Sequence, residues 1–435
     1  MTTEAWVSLW GRKIGAVVQG AGDDIAAFEY DSAFAGSGIE VSPLVMPLST
    51  QIYSFPELPR KTFYGLPGFL ADSLPDRFGN ALIDTWLATQ GRSPNSFSAV
   101  ERLCYIGQRG MGALEFSPAV GPRARKANNI QIDKLVEIAS EILSQRNDLR
   151  VSFTGKSKQR ALSDILRIGT SAGGARAKAV VAWNPQTNEV RSGQISAGEG
   201  FEYWLLKFDG VKGNRDKELD DPQGYGAIEY ACYLMARDCG IEMSECRLFE
   251  ESDRRHFMTR RFDRTIEGKK VHMQSLGALA HFDFNLAGAY SYEQALMIIR
   301  QLGLPMSTIE QQFRRMVFNI VIRNQDDHVK NIAFLMDKAG QWKLSPAFDM
   351  TYSFNPTGPW TATHQMTMNG KRESFTMEDF KNCAKVALMK RGREKSIIAE
   401  TLDVVTDWRK YAKTAGIPMQ TIEKIYSVLR LDGFK

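Results

Sequence analysis

The chain has 435 residues, 43% of them apolar, so it can bury a substantial core in roughly two or three domains and is not a disordered protein. Its formal net charge of +5, from 55 basic and 50 acidic residues spread along the sequence, permits contact with polyanions without arguing for it. Cys104, Cys232, Cys239, Cys246 and Cys383 match neither a zinc motif nor a disulfide framework, no run approaches the ~18 apolar residues of a membrane span, and Met1–Trp6 lacks a secretion pattern, so a soluble cytoplasmic protein with no membrane partner is expected.

In chain order, Trp6–Trp10 and Ile14–Gln19 read as two short strands around a Gly-Arg turn, followed by a loop-rich stretch with one clear helix, Leu74–Gln90. Gly110–Pro118 is a glycine turn and short strand, and the basic stretch Pro122–Lys126 suggests a boundary near 120–130. Leu135, Ile138, Ile142 and Leu143 share a face of a helix over Ile132–Leu143. Then come a strand at Ile165–Gly169, a glycine turn at Ser171–Lys178, a strand at Ala179–Trp183, a turn at Asn184–Asn188 and a buried strand at Tyr203–Phe208.

Tyr225–Asp238 has helical spacing and stops at Gly240. A strand at His256–Arg260 precedes a mainly helical remainder, with an apolar helix at Phe313–Ile322, a hairpin of Ile332–Leu335 and Trp342–Leu344, and a closing helix at Ile422–Leu431.

Phosphoryl transfer asks little covalent chemistry of a protein. It needs metal against the phosphate charge, a carboxylate to orient the attacking hydroxyl and a basic group on the nucleotide. In protein kinases the catalytic Asp precedes a metal-binding Asn by about five residues, and a second metal-binding Asp follows a short hairpin. Here Asp326 lies five residues before Asn331, Asp327 lies four before it and has no assigned role, and Asp349 follows the hairpin. Lys207 ends an apolar strand, Glu229 on the next helix is available to pair with it, and backbone N–H groups of Ser171–Lys178 are suited to cradling phosphate. Each feature has a bland alternative: a hairpin, a snorkelling lysine, a loop-capping aspartate. Their order and spacing favour the kinase reading.

Asp326-Asp-His-Val-Lys-Asn331, Ser345-Pro-Ala-Phe-Asp349, Arg261-Phe-Asp-Arg264 and Gly174-Ala-Arg-Ala-Lys178 resemble the signature of HipA-type toxins, serine/threonine kinases of bacterial type II toxin–antitoxin modules. The resemblance covers nearly the whole chain. It implies an α+β, two-lobed protein-kinase-like fold, with a small N-terminal subdomain over 1–125, a kinase N-lobe over 126–255 and a mainly helical C-terminal lobe over 256–435.

It further implies ATP and Mg2+ as cofactors, Asp326 as catalytic base, and Asn331 and Asp349 as metal ligands. Lys207 and the loop Gly173, Gly174, Ala175, Arg176, Ala177 and Lys178 would meet the phosphates, Arg260, Arg261 and Phe262 would form the adenine hinge, and His328, Lys330, Asn331 and Phe348 would lie beside the nucleotide. Ser171 matches the family's autophosphorylated serine, whose added charge would eject the loop and inactivate the enzyme. Implied partners are a helix-turn-helix antitoxin of the HipB type, operator DNA through that antitoxin, and a protein substrate, with aminoacyl-tRNA synthetases the suggested class. Arg260 stands where a Glu is known in the family, and Arg323 where a Gly is common.

Two other readings remain. One is a kinase-like co-repressor acting with an antitoxin on DNA, against which the complete set of Asp326, Asn331, Asp349 and Lys207 counts. The other is a small-molecule phosphotransferase, against which the N-terminal resemblance over 5–118 counts.

Overall fold

Thr3–Leu9 and Arg12–Gln19 pair antiparallel around a turn at Trp10 and Gly11, both at positive φ. They are central to a five-stranded sheet that runs Ile52–Tyr53, Ala26–Tyr30, Arg12–Gln19, Thr3–Leu9, Leu114–Ser117. The structure is a computed structural model that describes residues 3–93, 96–121, 130–144, 156–169, 176–195, 197–211, 224–251 and 253–434. Its chain divides into two compact units, the first Met1–Gln223 with Phe249–Gln274 and Leu335–Gln341, the second Gly224–Leu248 with Ser275–Phe334 and Trp342–Lys435.

The first unit is less loop-rich than the sequence suggests. Besides the five-stranded sheet it holds the helix Arg77–Thr89, capped by Asp76, whose carboxylate accepts from the Gly79 N–H at 2.6 Å. It also holds Ala99–Ile106, opened by a capping box in which Ser98 and Glu101 bond each other's backbone N–H groups.

A second sheet runs Val190–Ser192, Lys178–Trp183, Glu202–Lys207, Arg254–Arg260, Cys246–Glu251. Alternation along its strands separates two faces. Ala179, Val181, Trp204, Leu206 and Met258 point to the core shared with Ile132–Ser144 and Lys156–Ile168, where Phe78 and Leu82 of Arg77–Thr89 also pack. Lys178 and Lys207 are direct cross-strand partners, so both side chains lie on the opposite face.

Ile165–Gly169 is not a strand. Those residues end the helix Lys156–Ile168, and burial of Ala161, Leu162, Ile165 and Leu166 follows helical spacing. A short apolar run ahead of a glycine fits either element, and the packing of this face against Ile132–Ser144 decides for helix.

One buried charge cluster organises the first unit. Asp263 is fully buried and accepts from Arg261 Nε and Nη2 at 2.8 and 2.7 Å, from Arg264 Nη1 at 2.7 Å and from the Gly112 N–H at 2.8 Å. Burial alone would raise its carboxyl, but the two guanidinium groups overturn this and hold it well below the usual carboxylate range. Arg264 also donates to the carbonyls of Gly112 and Gly110 at 3.1 and 3.2 Å, tying the glycine turn Gly110–Gly112 to the Arg261–Arg264 segment.

The second unit is mainly helical. Met306–Ile322 is its central helix, buried from Gln312 through Ile322 on every side. Tyr292–Gln301, Met377–Val386, Arg393–Thr406, Trp408–Thr414 and Met419–Tyr426 complete it. The closing helix ends at Tyr426, before the expected Leu431, because Arg430 leaves it to donate its backbone N–H to Val321 at 3.0 Å and its Nη1 to Ile320 at 2.8 Å. Those carbonyls sit at the C-terminal end of Met306–Ile322, where no intrahelical donor is available.

Asp263→Asn leaves two buried guanidinium groups facing a neutral amide. We expect it to lower unfolding stability by about 3 kcal/mol, read as a lower midpoint in urea denaturation. An unchanged midpoint would remove the cluster from its structural role.

Candidate active site

The loop Asn324–Asn331 begins where Met306–Ile322 stops at Arg323, whose φ of 56° and ψ of 48° are left-handed. Glycine takes that conformation freely, whereas an arginine pays about 1 kcal/mol. Here Arg323 stacks its guanidinium on Phe354, 4.4 Å from the ring centroid, and donates to the Val428 carbonyl. These contacts account for Arg at a position where Gly is common.

The adjacent aspartates point to different environments. Asp327 is fully buried. Its Oδ2 accepts from the Tyr292 hydroxyl at 2.5 Å and from His364 Nδ1 at 2.8 Å, and its Oδ1 accepts from the Gln365 N–H at 2.8 Å. Arg430 Nη1 donates to His364 Nε2 at 2.8 Å, which fixes the imidazole as the neutral tautomer with its proton on Nδ1. Burial by itself would raise the Asp327 carboxyl, but His364, Tyr292 and the Gln365 amide bring it below its ordinary value. Burial likewise lowers His364, against the pull of Asp327.

Asp326 is half-exposed. Its Oδ1 accepts from the Trp360 indole N–H at 2.7 Å, and His328 Nε2 stands 3.8 Å from the same oxygen. Its backbone carbonyl accepts from Asn331 Nδ2 at 2.8 Å, which leaves the Asn331 side-chain oxygen as the ligand atom turned away from that bond. Asn324 bridges the loop to Asp349, donating to the Asn319 side chain at 2.9 Å and to the Asp349 carbonyl at 3.0 Å. Asp349 has φ 53°, a left-handed backbone held by this bridge.

Of the expected site residues, the second unit therefore brings together Asp326, His328, Lys330, Asn331, Phe348 and Asp349 on two linked loops. Lys330 Nζ lies 5.1 Å from the Phe284 ring centroid, and the His328 ring 5.6 Å from it.

Lys178, Lys207, Arg260, Arg261 and Phe262 belong to the first unit. Lys178 lies 3.5 Å from the Asp76 carboxylate, both side chains buried, and Lys207 lies 5.6 Å from the Phe257 ring centroid. Two lysines placed directly opposite on one sheet face repel, so the pair suits an anion. The Arg260 side chain reaches Glu202 at 3.5 Å, and that of Arg261 is committed to Asp263. Arg176 and Ala177 precede the strand Lys178–Trp183, while Ser171, Gly173, Gly174 and Ala175 lie outside the described residues.

Sequence reading missed Trp360, Tyr292, His364, Gln365 and Asp76. Each is remote in sequence from the group it bonds, and none stands in a local motif. Only the capping pattern before Arg77–Thr89 marked Asp76 at all.

Among the described residues, Asp133, Glu251 and His256 also bring ligand atoms within 4.8 Å of one another. The Asp209 N–H donates to His256 Nδ1 at 2.9 Å, so the imidazole proton sits on Nε2 and that nitrogen is a donor, not a metal ligand. Burial takes His256 down to about 4. Glu251 accepts from the Asp133 N–H at 3.1 Å in the first turn of Ile132–Ser144, so the group closes a helix end.

Comparison with known proteins places these features. Residues 5–117 match the family model of the HipA N-terminal domain, and residues 170–409 match that of the HipA-like C-terminal domain. "Putative kinase Y4dM" of Sinorhizobium fredii is 26% identical over 210 residues, 44% of this chain and 49% of that protein. A "Putative kinase" of Haemophilus influenzae is 28% identical over 134 residues, 28% of this chain and 39% of that protein. The chain thus spans about half or less of the length of the curated relatives it matches.

HipA of Shewanella oneidensis, solved in a complex with HipB and operator DNA, superposes with a TM-score of 0.67 at 16% identity, over 97% of this chain and 94% of that one. The fold is thereby a two-lobed, kinase-like α+β fold. Among the described residues no helix is long and apolar enough to cross a membrane.

The signs of the two shifts at the Asp327 pair set a pH dependence. His364 is lower in the folded state than its unfolded value of about 6.5, so its contribution is complete above that pH and is lost as pH falls. Asp327, lowered from about 3.9, adds a further loss at more acid pH. The urea midpoint should fall as pH drops below about 6.5, and His364→Asn, which keeps a donor and an acceptor, should flatten that part of the curve. The same slope in both proteins would exclude His364 as its source.

Proposed function

The chain belongs to the HipA family, and on that premise we propose that it is an ATP-dependent serine/threonine protein kinase, the toxin of a type II toxin–antitoxin module. The observation that carries this reading is the division between the two aspartates. Asp327 is buried with its oxygens engaged, while Asp326 reaches solvent beside Asn331.

In this reading Asp326 accepts the proton of a serine hydroxyl as that oxygen bonds the γ-phosphorus and the bond to the ADP oxygen breaks. Asn331 and Asp349 supply an amide and a carboxylate oxygen, hard donors of the kind Mg2+ takes, and the metal neutralises phosphate charge when bound. Lys207 and Lys178 meet the phosphates, where an anion relieves the repulsion between facing ammonium groups. The loop Gly173–Lys178 closes over them.

Arg260–Phe262 meet adenine through backbone atoms, since the Arg260 and Arg261 side chains have carboxylate partners in Glu202 and Asp263. His328, Lys330 and Phe348 lie beside the nucleotide. Phosphorylation of Ser171 would put charge in a loop meant for ATP phosphates and shut the enzyme off.

The substrate is a serine of a cytoplasmic protein, with an aminoacyl-tRNA synthetase as the class to try first. The partner is a helix-turn-helix antitoxin of the HipB type, which carries the kinase to operator DNA. The assembly of the Shewanella protein with HipB and operator DNA supports that partner.

Asp326→Ala and, separately, Asp349→Ala should each reduce γ-phosphate transfer from ATP by at least a thousandfold, about 4 kcal/mol of barrier, with the circular-dichroism melting curve preserved. Full transfer by Asp326→Ala would sink the base assignment. Mass spectrometry of protein incubated with ATP should find phosphate on the peptide containing Ser171 and none there in Ser171→Ala. Modification confined to other residues would remove the self-inactivation step.

A further inference from the structure

The segment after Asp349 folds back onto the catalytic loop through backbone bonds. The Ser353 N–H donates to the Arg323 carbonyl at 3.1 Å, and the Gln325 N–H donates to the Ser353 carbonyl at 2.9 Å. From there Asn355-Pro-Thr-Gly-Pro-Trp-Thr361 forms a closed turn. Asn355 Oδ1 accepts from the Thr357 N–H and hydroxyl at 3.2 and 3.0 Å, the Gly358 N–H donates to the Asn355 carbonyl at 3.1 Å, and the Asn355 N–H donates to the Thr361 carbonyl at 3.3 Å.

The far side of the turn is fixed as well. Gln365 Nε2 donates to the Trp360 carbonyl, to the Thr363 carbonyl at 3.1 Å and to the Gln325 carbonyl at 3.2 Å, while its own N–H is held by Asp327 at 2.8 Å. The indole of Trp360 is thus carried by a turn anchored to both neighbours of Asp326, and its N–H meets Asp326 Oδ1 at 2.7 Å.

We propose that Trp360 is a positioning residue for phosphoryl transfer, resting on the kinase reading: its indole N–H holds Asp326 Oδ1 and so presents Oδ2 to the substrate hydroxyl. The described contacts to this carboxylate, from Trp360 and from His328, both fall on Oδ1. The proton leaving the serine therefore goes to Oδ2 as the serine oxygen bonds the γ-phosphorus and the ADP oxygen departs with its electron pair. A carboxylate with one oxygen clamped has given up rotation about its terminal bond before the reaction starts, which is how a preorganised base gains rate without tighter binding of nucleotide. The same segment also runs on to His364 and Gln365, so the clamp on Asp326 and the burial of Asp327 are set by one stretch of chain.

Trp360→Phe keeps the ring and removes the donor. With γ-labelled ATP and a serine-containing peptide library as acceptor, it should cut kcat about tenfold, the loss of one hydrogen bond to a charged group, and leave the KM for ATP within about twofold. In a 15N-tryptophan spectrum, where the chain has eight indole signals, the signal absent from Trp360→Phe should move in Asp326→Ala.

Wild-type kcat in Trp360→Phe, or a higher one, overturns the positioning role, a higher value meaning that the indole restrains the base. An indole signal indifferent to Asp326→Ala overturns the contact itself and stands even if Trp360→Phe fails to fold. Failure of the kinase reading looks different: transfer would then survive Asp326→Ala.

Discussion

The buried carboxylate of Asp327 is the constraint on which the catalytic loop depends. An ionised group taken out of water has to be surrounded by donors, and Tyr292, His364 and the Gln365 amide are those donors. They come from the helix Tyr292–Gln301 and from the segment beyond the hairpin, so satisfying one charge draws distant parts of the second unit to one point. Arg430 extends the network, donating to His364 and to the last carbonyls of Met306–Ile322. The chain's closing segment thereby caps the helix that launches the loop.

With Asp327 pinned inward, Asp326 is turned toward solvent, as neighbouring residues of an extended backbone are. Asn331 then bonds the Asp326 carbonyl and Asn324 bonds that of Asp349, so the reactive loops are held by their backbone atoms while their side-chain oxygens stay available. The left-handed residues Arg323 and Asp349 mark where the chain is bent to allow this. Local strain at such a site is sustained by surrounding bonds.

The first unit treats charge in a related manner with the opposite sign in excess. Asp263 is one carboxylate shared by two guanidinium groups, and Asp76 stands against Lys178 on a sheet face that also carries Lys207. The Asp263 cluster is closed and structural. The lysine face has two cations around a single carboxylate among its described partners, which is the electrostatic condition for receiving phosphate.

The sequence by itself determined the elements whose signal is local. Capped helices such as Arg77–Thr89, alternating strands such as Glu202–Lys207, and the order Lys207, Asp326, Asn331, Asp349 all rest on spacing within a few residues or on succession along the chain. Ile165–Gly169 shows the limit: a short apolar run serves strand or helix alike, and its packing against Ile132–Ser144 settled which. Spacing could separate Asp326 from Asp327 but could not say what Asp327 does, because its partners lie 35, 37 and 38 residues away. Only the tertiary structure decided that Asp327 is the anchor, that Trp360 meets Asp326, and that Asp76 stands beside Lys178. Burial and hydrogen-bond satisfaction are properties of groups brought together in space, and no local pattern along a chain records them.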